Sequence, residues 1–489
     1  MRSRPLFAAA AAFALAAVAL APRAHAAGLY FADRGVRPAA RGGAFTAGAD
    51  DPGAIAYNPA GLFDAGTQIL IDASWVRFSS DYTRRSLVRQ VDPNTHETVA
   101  TYVHTHDEVH GAAPFVPIPT LAATLRLSPK LALGVGAYAP YGALAGYPEQ
   151  VNGGPAPQRY MLYNLDGSAL AFLGAGVAMA PSDEWRFGAS LELFVGTLNA
   201  RMAVSGCVPE RFFCAPEDPD WDIEAELNVS PIIAPTGQIG AQWIPDDSFR
   251  VGMSFHLPIW IRAGGTVRNR LPAAPVFERA RQEGEDLDVA LDLPWVLRLG
   301  VETRAIERLR VELGFAWEHW SMHDTITADP DGIALRDVGG FPDPFYIPTI
   351  EVPRNFQDAI SVRAGGEYSL ELAGHRWDAR AGLSFETSAV PPEYLSIITI
   401  DAPKLTAALG VGLHLGKFRL DATYAHVFAF DVEVAPEEAR APQLSPVAAN
   451  PPENPNYINA GTYSARADVI GLGLAYTFGE APAPAPVPR

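Results

Sequence analysis

Apolar and polar residues alternate along most of the chain from Thr67 onward, in segments separated by turns. In the stretch 185–197 the large apolar side chains take every second position, with Arg186, Gly188, Ser190 and Glu192 between them. The same period of two occurs at 251–259, 311–318 and 377–386. Because successive side chains of a β-strand point to opposite faces, this pattern predicts strands that have one apolar face.

Fourteen such segments predict an antiparallel sheet with an even number of strands. They lie at 67–84, 116–127, 131–141, 168–180, 185–204, 223–244, 249–268, 287–304, 309–323, 355–372, 376–388, 404–415, 418–434 and 463–478. Every second connection is a tight turn, whereas those between are long, the longest at 324–354. Short turns at one end and long loops at the other are typical of a barrel in the bacterial outer membrane.

The length of the segments also favours a membrane barrel over a soluble sandwich. Many run for ten or more residues, enough to cross a bilayer at a tilt, and Trp185, Trp377 and Tyr476 stand near strand ends. A bilayer offers the backbone no hydrogen bonds, so the sheet has to close. We therefore expect a monomeric, lipid-embedded barrel over 67–479 with both termini in the periplasm. Its last strand, with apolar residues from Ile470 to Phe478, resembles the aromatic-ended strand by which such barrels engage the barrel assembly machinery.

The two ends of the chain have compositions of their own. Residues 1–26 combine Arg2 and Arg4, an alanine-rich apolar run and a small-residue site at 24–26, which predicts a secretory signal peptide. Residues 480–489 (EAPAPAPVPR) read as an extended periplasmic tail. The 37 basic and 55 acidic residues give a net charge of −18, which argues against nucleic acid as a partner.

Residues 27–66 lack the composition of a strand and are rich in glycine and proline. A barrel of fourteen strands is too wide for its own side chains to fill. We expect this stretch to fold inside the barrel as a hatch, with Asn58 and Pro59 marking the turn toward the first strand. Asp50 and Asp51 would cap turns or accept hydrogen bonds from arginines of the lumen. The alternative is a glycine-rich surface linker.

The stretch 41–62 (RGGAFTAGADDPGAIAYNPAGL) resembles the N-terminal hatch of the FadL/TodX family, outer-membrane channels for fatty acids and hydrophobic compounds. A second stretch, 130–142 (KLALGVGAYAPYG), resembles the third strand of that family. The resemblance implies uptake of a long-chain fatty acid or another hydrophobic compound. External loops would capture the ligand, a lumen site beside the hatch would bind it, and a kinked third strand would release it sideways into the lipid.

The third strand carries Gly134, Gly136, Tyr138 and Pro140, which we take as candidate ligand-binding or gating residues. Proline cannot donate to a ladder and glycines permit bends, so a local break in pairing has a physical basis. A strand that simply ends in a loop explains Pro140 equally well. Tyr30 and Phe31, near the start of the hatch, would be its apolar contacts with the ligand.

The remaining candidates concern the long loops. Cys207 and Cys214 lie close together in a chain of export type, which predicts a disulfide. The run VHTHDEVH, with His104, His106 and His110, fits a metal site or, more simply, a solvated loop. In the loop 269–286, the charged run FERARQEGED suggests a short helix.

No motif in the sequence points to catalysis or to a cofactor. The sequence offers no set of nucleophile, histidine and acid that stands out, although dispersed residues of an outer-membrane lipase would escape notice. A barrel that serves only as a scaffold, as an adhesin or phage receptor does, is the main alternative to a transporter. An apolar, ligand-sized site in the lumen would distinguish the two.

Overall fold

Fourteen antiparallel strands close into a barrel, as the sequence predicts. The computed structural model describes residues 34–92, 98–139, 145–208, 212, 214–447 and 455–478. The first strand pairs with the last from Gln68↔Thr477 to Arg84↔Gly461, which leaves the sheet without a free edge. A closed sheet satisfies its backbone groups in lipid. None of the described helices is both long and apolar enough to cross a bilayer.

The described strands, numbered in chain order, are β1 (Gln68–Val91), β2 (Thr98–Ala112), β3 (Pro117–Ser128), β4 (Leu131–Tyr138), β5 (Gln150–Val151), β6 (Gly154–Pro155), β7 (Ala169–Met179), β8 (Trp185–Ser205), β9 (Asp222–Asp246), β10 (Phe249–His256), β11 (Ile259–Arg270), β12 (Arg281–Glu283), β13 (Asp286–Leu293), β14 (Val296–Ile306), β15 (Leu309–Glu318), β16 (Thr325–Pro330), β17 (Ala334–Arg336), β18 (Phe345–Tyr346), β19 (Ile350–Pro353), β20 (Ala359–Leu372), β21 (His375–Glu386), β22 (Lys404–Leu415), β23 (Phe418–Ala429), β24 (Val432–Val434) and β25 (Gly461–Thr477). The helices are α1 (Val36–Ala40) and the short 3-10 helices Pro52–Ala56, Pro59–Leu62, Pro219–Trp221, Pro275–Phe277, Trp320–Met322 and Pro392–Tyr394.

The barrel wall follows chain order, each strand pairing with the next. It runs β1, β3, β4, β7, β8, β9, β10 with β11, β14 with β13, β15, β20, β21, β22, β23, β25 and back to β1. The predicted tight turns, such as those at 129–130 and 416–417, join strands at one end. The long connections lie at the other end, so the structure has the short turns and long loops at opposite ends that the sequence predicts.

Along many wall strands the apolar face is the exposed one, the reverse of a soluble sandwich. Beyond the proline breaks, β11 and β13 instead bury apolar residues such as Ile259 and Leu287. Along β8, Trp185, Phe187 and Leu191 point outward, and Leu191 is 79% exposed. Ser190 and Glu192, which alternate with them, are buried in the bore. Apolar side chains outside and polar ones inside are what a strand needs when lipid surrounds the sheet and protein fills its centre.

Several predicted segments differ from the observed strands. The predicted continuous strands 249–268 and 287–304 are each broken at the same height, at Leu257–Pro258 and at Pro294–Trp295. Proline has no N–H to donate, which explains both breaks. The third strand ends at Tyr138 rather than 141. The prediction of a charged helix in 269–286 was wrong, because that loop forms the 3-10 turn Pro275–Phe277 and the strand β12.

The first long connection is also more ordered than a loop. β2 pairs with the outer part of β1, from Ser79↔Ala112 to Val91↔Thr98, and forms a hairpin that extends the wall beyond the long-loop end. The three histidines of VHTHDEVH therefore lie on a strand. The prediction that this run is a solvated loop was wrong in its structure, although most of β2 is exposed.

Candidate functional site

The hatch occupies the half of the bore nearest the short turns. Almost all of residues 34–66 are buried, and they touch strands from opposite sides of the barrel. α1 packs on β21–β23 and β25, the helix Pro52–Ala56 on β1, β3, β4 and β7, and the helix Pro59–Leu62 on β4 and β7–β9. The described part of the predicted hatch, 34–66, therefore lies inside the barrel.

Glycines of the wall make room for the hatch. A Cβ on Gly134 would lie 2.8 Å from Leu62, and one on Gly136 would lie 2.7 Å from Ile55. Other wall glycines, among them Gly188, Gly240, Gly252, Gly300, Gly365, Gly382 and Gly410, meet hatch atoms at similar or shorter range. The two glycines predicted as gating residues thus contact the hatch, and their lack of a side chain serves close packing.

Asn58 and Pro59 attach the hatch to the wall. Asn58 Oδ1 accepts from Ala60 N at 3.1 Å, and its Nδ2 donates to Thr46 O at 2.9 Å and to Ala241 O of β9 at 3.2 Å. Pro59 lies against Gly188 and Gly240. Asn58 and Pro59 thus contact the hatch and the wall of the protein itself. These contacts fix the turn that the sequence analysis located there.

A buried layer of charges fixes the first half of the hatch. Arg37 contacts Asp50 at 2.6 Å, Asp51 at 3.3 Å and Glu367 of β20 at 3.0 Å. Arg41 contacts the wall carboxylates Glu302 and Glu312 at 3.0 and 3.2 Å, and all three side chains are fully buried. Charges in such a place are tolerated only when they are paired.

Glu312 holds the hatch backbone directly. Its carboxylate accepts hydrogen bonds from three consecutive amides, Thr46 N at 2.6 Å, Ala47 N at 2.9 Å and Gly48 N at 2.9 Å. A turn rich in small residues exposes these donors, and one wall carboxylate satisfies all of them. The hatch is therefore anchored to β15 by charge and by backbone hydrogen bonds together.

Asp50 and Asp51 carry out both functions expected of them. Asp51 Oδ1 accepts from Gly53 N at 2.9 Å and caps the following 3-10 helix, whereas its Oδ2 contacts Arg419 at 3.0 Å. Asp50 contacts Arg310 at 2.7 Å as well as Arg37. Burial by itself would raise the pKa of Asp50, but the charges of these arginines and of Arg304 hold it well below its usual value.

Above the hatch, toward the long loops, the bore is filled with apolar side chains. The segments 145–168 and 387–403 fold inward and bury residues such as Tyr147, Leu162, Val390 and Leu395. They pack with wall residues including Phe172, Phe194, Ile259, Trp320, Phe356 and Tyr463. The lumen therefore has a charged layer around the hatch and an apolar layer beyond it.

Tyr138, at the end of the third barrel strand, belongs to an aromatic row in this apolar layer. Its ring stacks on Phe172 at 5.2 Å, and Phe172 contacts Phe194 at 5.2 Å and His256 at 5.6 Å. The Tyr138 hydroxyl donates to Glu192 at 3.0 Å. The predicted residue Tyr138 therefore lies inside the bore, next to the place where its strand leaves the wall.

His256 and Glu192 form a buried pair beneath this row. His256 Nδ1 lies 2.7 Å from Leu257 O and Nε2 lies 3.1 Å from Glu192 Oε2. Ser190 Oγ donates to the other carboxylate oxygen at 2.8 Å. This polar cluster is well satisfied within an apolar surrounding.

Arg354 lies in the apolar layer and has no counter-ion among the described residues, unlike arginines around the hatch such as Arg37 and Arg41. It is 5% exposed, and among the described residues no carboxylate lies within 4 Å of its guanidinium group. Its Nη2 donates to Thr399 Oγ1 at 2.8 Å, and the group lies 4.7 Å from the Phe356 ring. Its Nε has no hydrogen-bond partner in the part of the chain that the structure describes. Burial lowers the pKa of Arg354 to about 10, so it is charged at neutral pH.

His323 lies beside Arg354 in the same niche. Its Nδ1 donates to Asp292 O at 2.8 Å, whereas its buried Nε2 has no hydrogen-bond partner within the described ranges. Burial, followed by the charge of Arg354, lowers the pKa of His323 to about 3, so the ring is neutral. Trp320 and Phe356 contact each other at 5.7 Å and complete an aromatic enclosure, the Arg354 niche.

The third strand leaves the wall early on one side of this layer. β4 pairs with β3 and β7 only up to Tyr138, although β1 and β8 continue far beyond that level. Isolated bridges at Gly146 and Asn164 then link Ala112 of β2 to Arg201 of β8. Pro140 lies outside the described residues, as do Tyr30, Phe31, the expected signal peptide and the expected tail.

The long-loop end carries a second apolar cluster, the loop lobe, built from the described residues of 206–208, 212, 214–221, 271–285 and 331–347. Val208, Phe277, Ile333 and Leu335 are buried in it, and partly exposed aromatic residues such as Phe341 surround them. Cys207 and Cys214 form a disulfide at its base, with Cα atoms 5.9 Å apart.

The three histidines of β2 do not converge. A bulge between Glu108 and Thr105 reverses the faces of the strand, so His104 and His106 pack together at 4.5 Å while His110 pairs with Asp81 on the other face. A metal site made of all three imidazoles is therefore excluded by the register.

Sequence reasoning missed Arg354, Glu312 and Glu192. Glu312 and Glu192 occupy inward positions of clearly alternating strands, so the sequence predicted that their side chains point into the bore. Their partners could not be predicted, because they lie far away in the chain. Arg354 stands in a long connection and looked like an ordinary solvated arginine. The lack of any acidic residue from Val352 to Gln357 was the only signal available.

A closed barrel with a folded hatch in a charged bore, and an apolar layer above it, defines a plugged membrane barrel. The chain belongs to the outer membrane protein transport protein family (OMPP1/FadL/TodX), whose model matches residues 17–478. This is a family of bacterial outer-membrane transporters for hydrophobic compounds and not one of enzymes.

Solved structures share the fold at low sequence identity. A Pseudomonas aeruginosa FadL homologue is 16% identical, with a TM-score of 0.67 over 93% of this chain and 100% of its own. The Pseudomonas putida toluene transporter TodX is 15% identical, with a TM-score of 0.60 over 92% and 99%. The Ralstonia pickettii toluene transporter TbuX is 16% identical, with a TM-score of 0.53 over 91% and 99%. No curated protein sequence matches the chain.

Proposed function

We propose that this protein takes up hydrophobic compounds with an acidic head group, of which long-chain fatty acids are the class that fits best. The family membership supports transport of a hydrophobic compound. The Arg354 niche supports the acidic head group, because a buried guanidinium without a counter-ion costs several kcal/mol that an incoming carboxylate would offset. A hydrocarbon such as toluene offers no such charge.

The niche supplies both parts of an amphiphilic site. Arg354 has a free Nε and keeps its charge at neutral pH, whereas Trp320, Phe356 and the inward segment 387–403 provide apolar surface. Nearby carboxylates such as Glu386 are already paired with Lys404 at 2.6 Å. A ligand carboxylate is thus a suitable partner for Arg354, which forms no ion pair with a carboxylate of the described residues.

The proposed route begins at the loop lobe. Its partly exposed aromatic residue Phe212 contacts both Trp221 and Phe341, and the three rings offer apolar surface at the entrance. The ligand would then reach the apolar layer beside the hatch and leave sideways past the aromatic row at Tyr138, where β4 departs from the wall. Gly134, Gly136 and Pro140 would permit that departure.

The hatch contributes to release in this proposal. Tyr30 and Phe31, just ahead of the described hatch, would touch the ligand through their rings. Changing both to serine is expected to weaken uptake without loss of folding, and unchanged uptake would count against this role. We further propose that the barrel acts as a monomer, with both termini in the periplasm and lipid around its wall, and that the assembly machinery inserts it.

Ligand binding by variants at Arg354 tests the proposal. The purified barrel in mild detergent would be titrated with oleate and with oleyl alcohol, which differ only in the head group, while tryptophan fluorescence is recorded. Arg354→Gln is expected to weaken oleate binding at least tenfold and to leave oleyl alcohol unchanged. Arg354→Lys should restore part of the oleate affinity. Uptake of labelled oleate by cells lacking their own transporter should follow the same order.

The matched control is Arg268→Gln, which removes an exposed arginine that already pairs with Glu285. It should bind and transport both ligands as the unaltered protein does. Equal loss of oleate and oleyl alcohol in Arg354→Gln would show a general structural role. No binding of either ligand by the unaltered protein would favour the scaffold alternative, in which the loops alone carry the function.

A further inference from the structure

One cluster of metal-ligating side chains lies outside the transport path, on the outward face of the β1–β2 hairpin. Asp81 of β1 stands directly opposite His110 of β2, and Glu108 follows on the same face. One ligand atom from each of the three lies within 4.8 Å of the other two. The cluster is exposed, so a small cation reaches it without passing through the barrel.

The imidazole of His110 is oriented as in many metal sites. Its Nδ1 lies 2.5 Å from Asp81 Oδ1, which fixes the ring and turns Nε2 toward Glu108 Oε1 at 3.7 Å. That separation is too long for a hydrogen bond, but it is near the ~3.3 Å between two ligands of one tetrahedral zinc ion with bonds of about 2 Å. A carboxylate behind a ligating histidine is the usual arrangement around such ions.

Two carboxylates, those of Asp81 and Glu108, share the single imidazole of His110. Among the described residues, no lysine or arginine forms an ion pair with Asp81 or Glu108, and His110 is the partner of both. The remaining contacts are with hydroxyl groups, Ser464 Oγ at 3.4 Å from Asp81 and Thr83 Oγ1 at 3.5 Å from Glu108. The local charge thus attracts a cation.

The backbone holds the cluster in place. Asp81 lies on a strand that is paired on both sides, with β2 through His110 and with β25 through Ser464. The bulge next to Glu108 sends His104 and His106 to the other face, so they cannot compete for the same ion. Only rotations of exposed side chains are needed to bring Nε2 and Oε1 to one metal.

We propose that His110 Nε2 and Glu108 bind a divalent transition metal ion such as Zn²⁺, with Asp81 as the positioning residue for the imidazole. Imidazole and carboxylate together suit zinc better than calcium or magnesium. Two protein ligands leave further coordination positions to water. The site is independent of the proposed transport function, since it faces away from the bore.

The test is titration of the barrel with zinc chloride. The full chain, purified without a histidine tag and stripped with EDTA, would be studied by isothermal titration calorimetry. One equivalent of Zn²⁺ is expected to bind. His110→Ala and Glu108→Gln should each weaken binding at least tenfold, and Asp81→Asn about tenfold with the stoichiometry kept. Co²⁺ should give visible absorption bands that the His110→Ala variant lacks.

The double variant His104→Ala/His106→Ala is the matched control, because it removes two imidazoles of the same strand from the opposite face. It should bind one equivalent as tightly as the unaltered protein. The heat-dependent mobility shift of the barrel on gels would verify that each variant is folded. Glu108→Gln is the variant that alters the size of its side chain least. Absence of saturable binding, or loss of binding in the double variant with binding kept in His110→Ala, would overturn the proposal.

Discussion

Gly252 of the barrel wall lies directly against Ala47 of the hatch: a Cβ on Gly252 would stand 2.6 Å from Ala47 Cα and 2.7 Å from Ala47 N. Both neighbours are backbone atoms, so neither moves aside cheaply. The contact shows that the hatch is packed against the wall as closely as a protein core.

Replacing Gly252 by alanine should therefore displace the hatch. We expect a loss of about 1–3 kcal/mol in stability, the usual cost of overpacking, and a bore that admits small polar solutes. Entry of a large antibiotic into cells that produce the variant would measure the leak. Gly264→Ala is the control, since the nearest atom to its Cβ is 3.9 Å away. An unchanged barrier in Gly252→Ala would mean that the hatch adapts freely.

Replacing Glu312 by alanine should free the hatch from β15. The change leaves three buried amides, Thr46, Ala47 and Gly48, without an acceptor and takes a partner from Arg41. At about 1–3 kcal/mol for each buried unsatisfied group, the hatch should lose most of its anchoring. Protease cleavage of the hatch in the otherwise intact barrel would measure this. Glu312→Gln keeps two acceptor positions at most and should give an intermediate result.

The ion pairs of Asp50 predict the pH range over which this residue stabilises the folded hatch. A carboxyl whose pKa is lowered by folding adds stability above its unfolded pKa of ~3.9 and loses that stability as the pH falls through its folded pKa. The difference in melting temperature between the unaltered protein and Asp50→Asn should thus stay constant from pH 8 to 5. It should shrink only in stronger acid.

The expected size of that difference corresponds to about 3–5 kcal/mol, as for other buried ion pairs that lose one partner. The comparison with Asp50→Asn isolates this residue from the other carboxylates that titrate in acid. A difference that already declines between pH 7 and 5 would contradict the ion-pair explanation.

The disulfide predicts local rather than global stability. Closing the short loop between Cys207 and Cys214 corresponds to about 2–3 kcal/mol on the loop-entropy model. Because the bridge lies in the loop lobe, reduction or the double serine variant should speed proteolysis of residues near Phe212 while the melting of the barrel stays unchanged. A lower melting temperature of the whole barrel would show that the lobe supports the wall.

The strands could be read from the sequence because lipid outside and protein inside impose a strict alternation, as in β8. The breaks at Pro258 and Pro294 were missed, although both prolines are visible, since the apolar pattern continues on either side. The location of the hatch followed from composition and from the width of the barrel. Its anchors did not, because Glu312 and Thr46 are joined by folding across 266 positions of the chain.

The Arg354 niche shows more clearly what could not be predicted from the sequence. No local pattern distinguishes a buried arginine without an acid from a solvated one, because burial is decided by the inward fold of 387–403 and by Phe356. His110 is a milder case. The run VHTHDEVH allowed a metal site of three imidazoles, but a single extra residue in the bulge of β2 places His110 on the opposite face from His104 and His106.

The wall glycines meet the hatch largely through its main chain. Many amino-acid exchanges within the hatch would thus be accommodated. Inserting or deleting one residue, however, would shift every later peptide unit away from the wall glycine that it packs against. During evolution, this segment should accordingly accept amino-acid substitutions more readily than insertions or deletions.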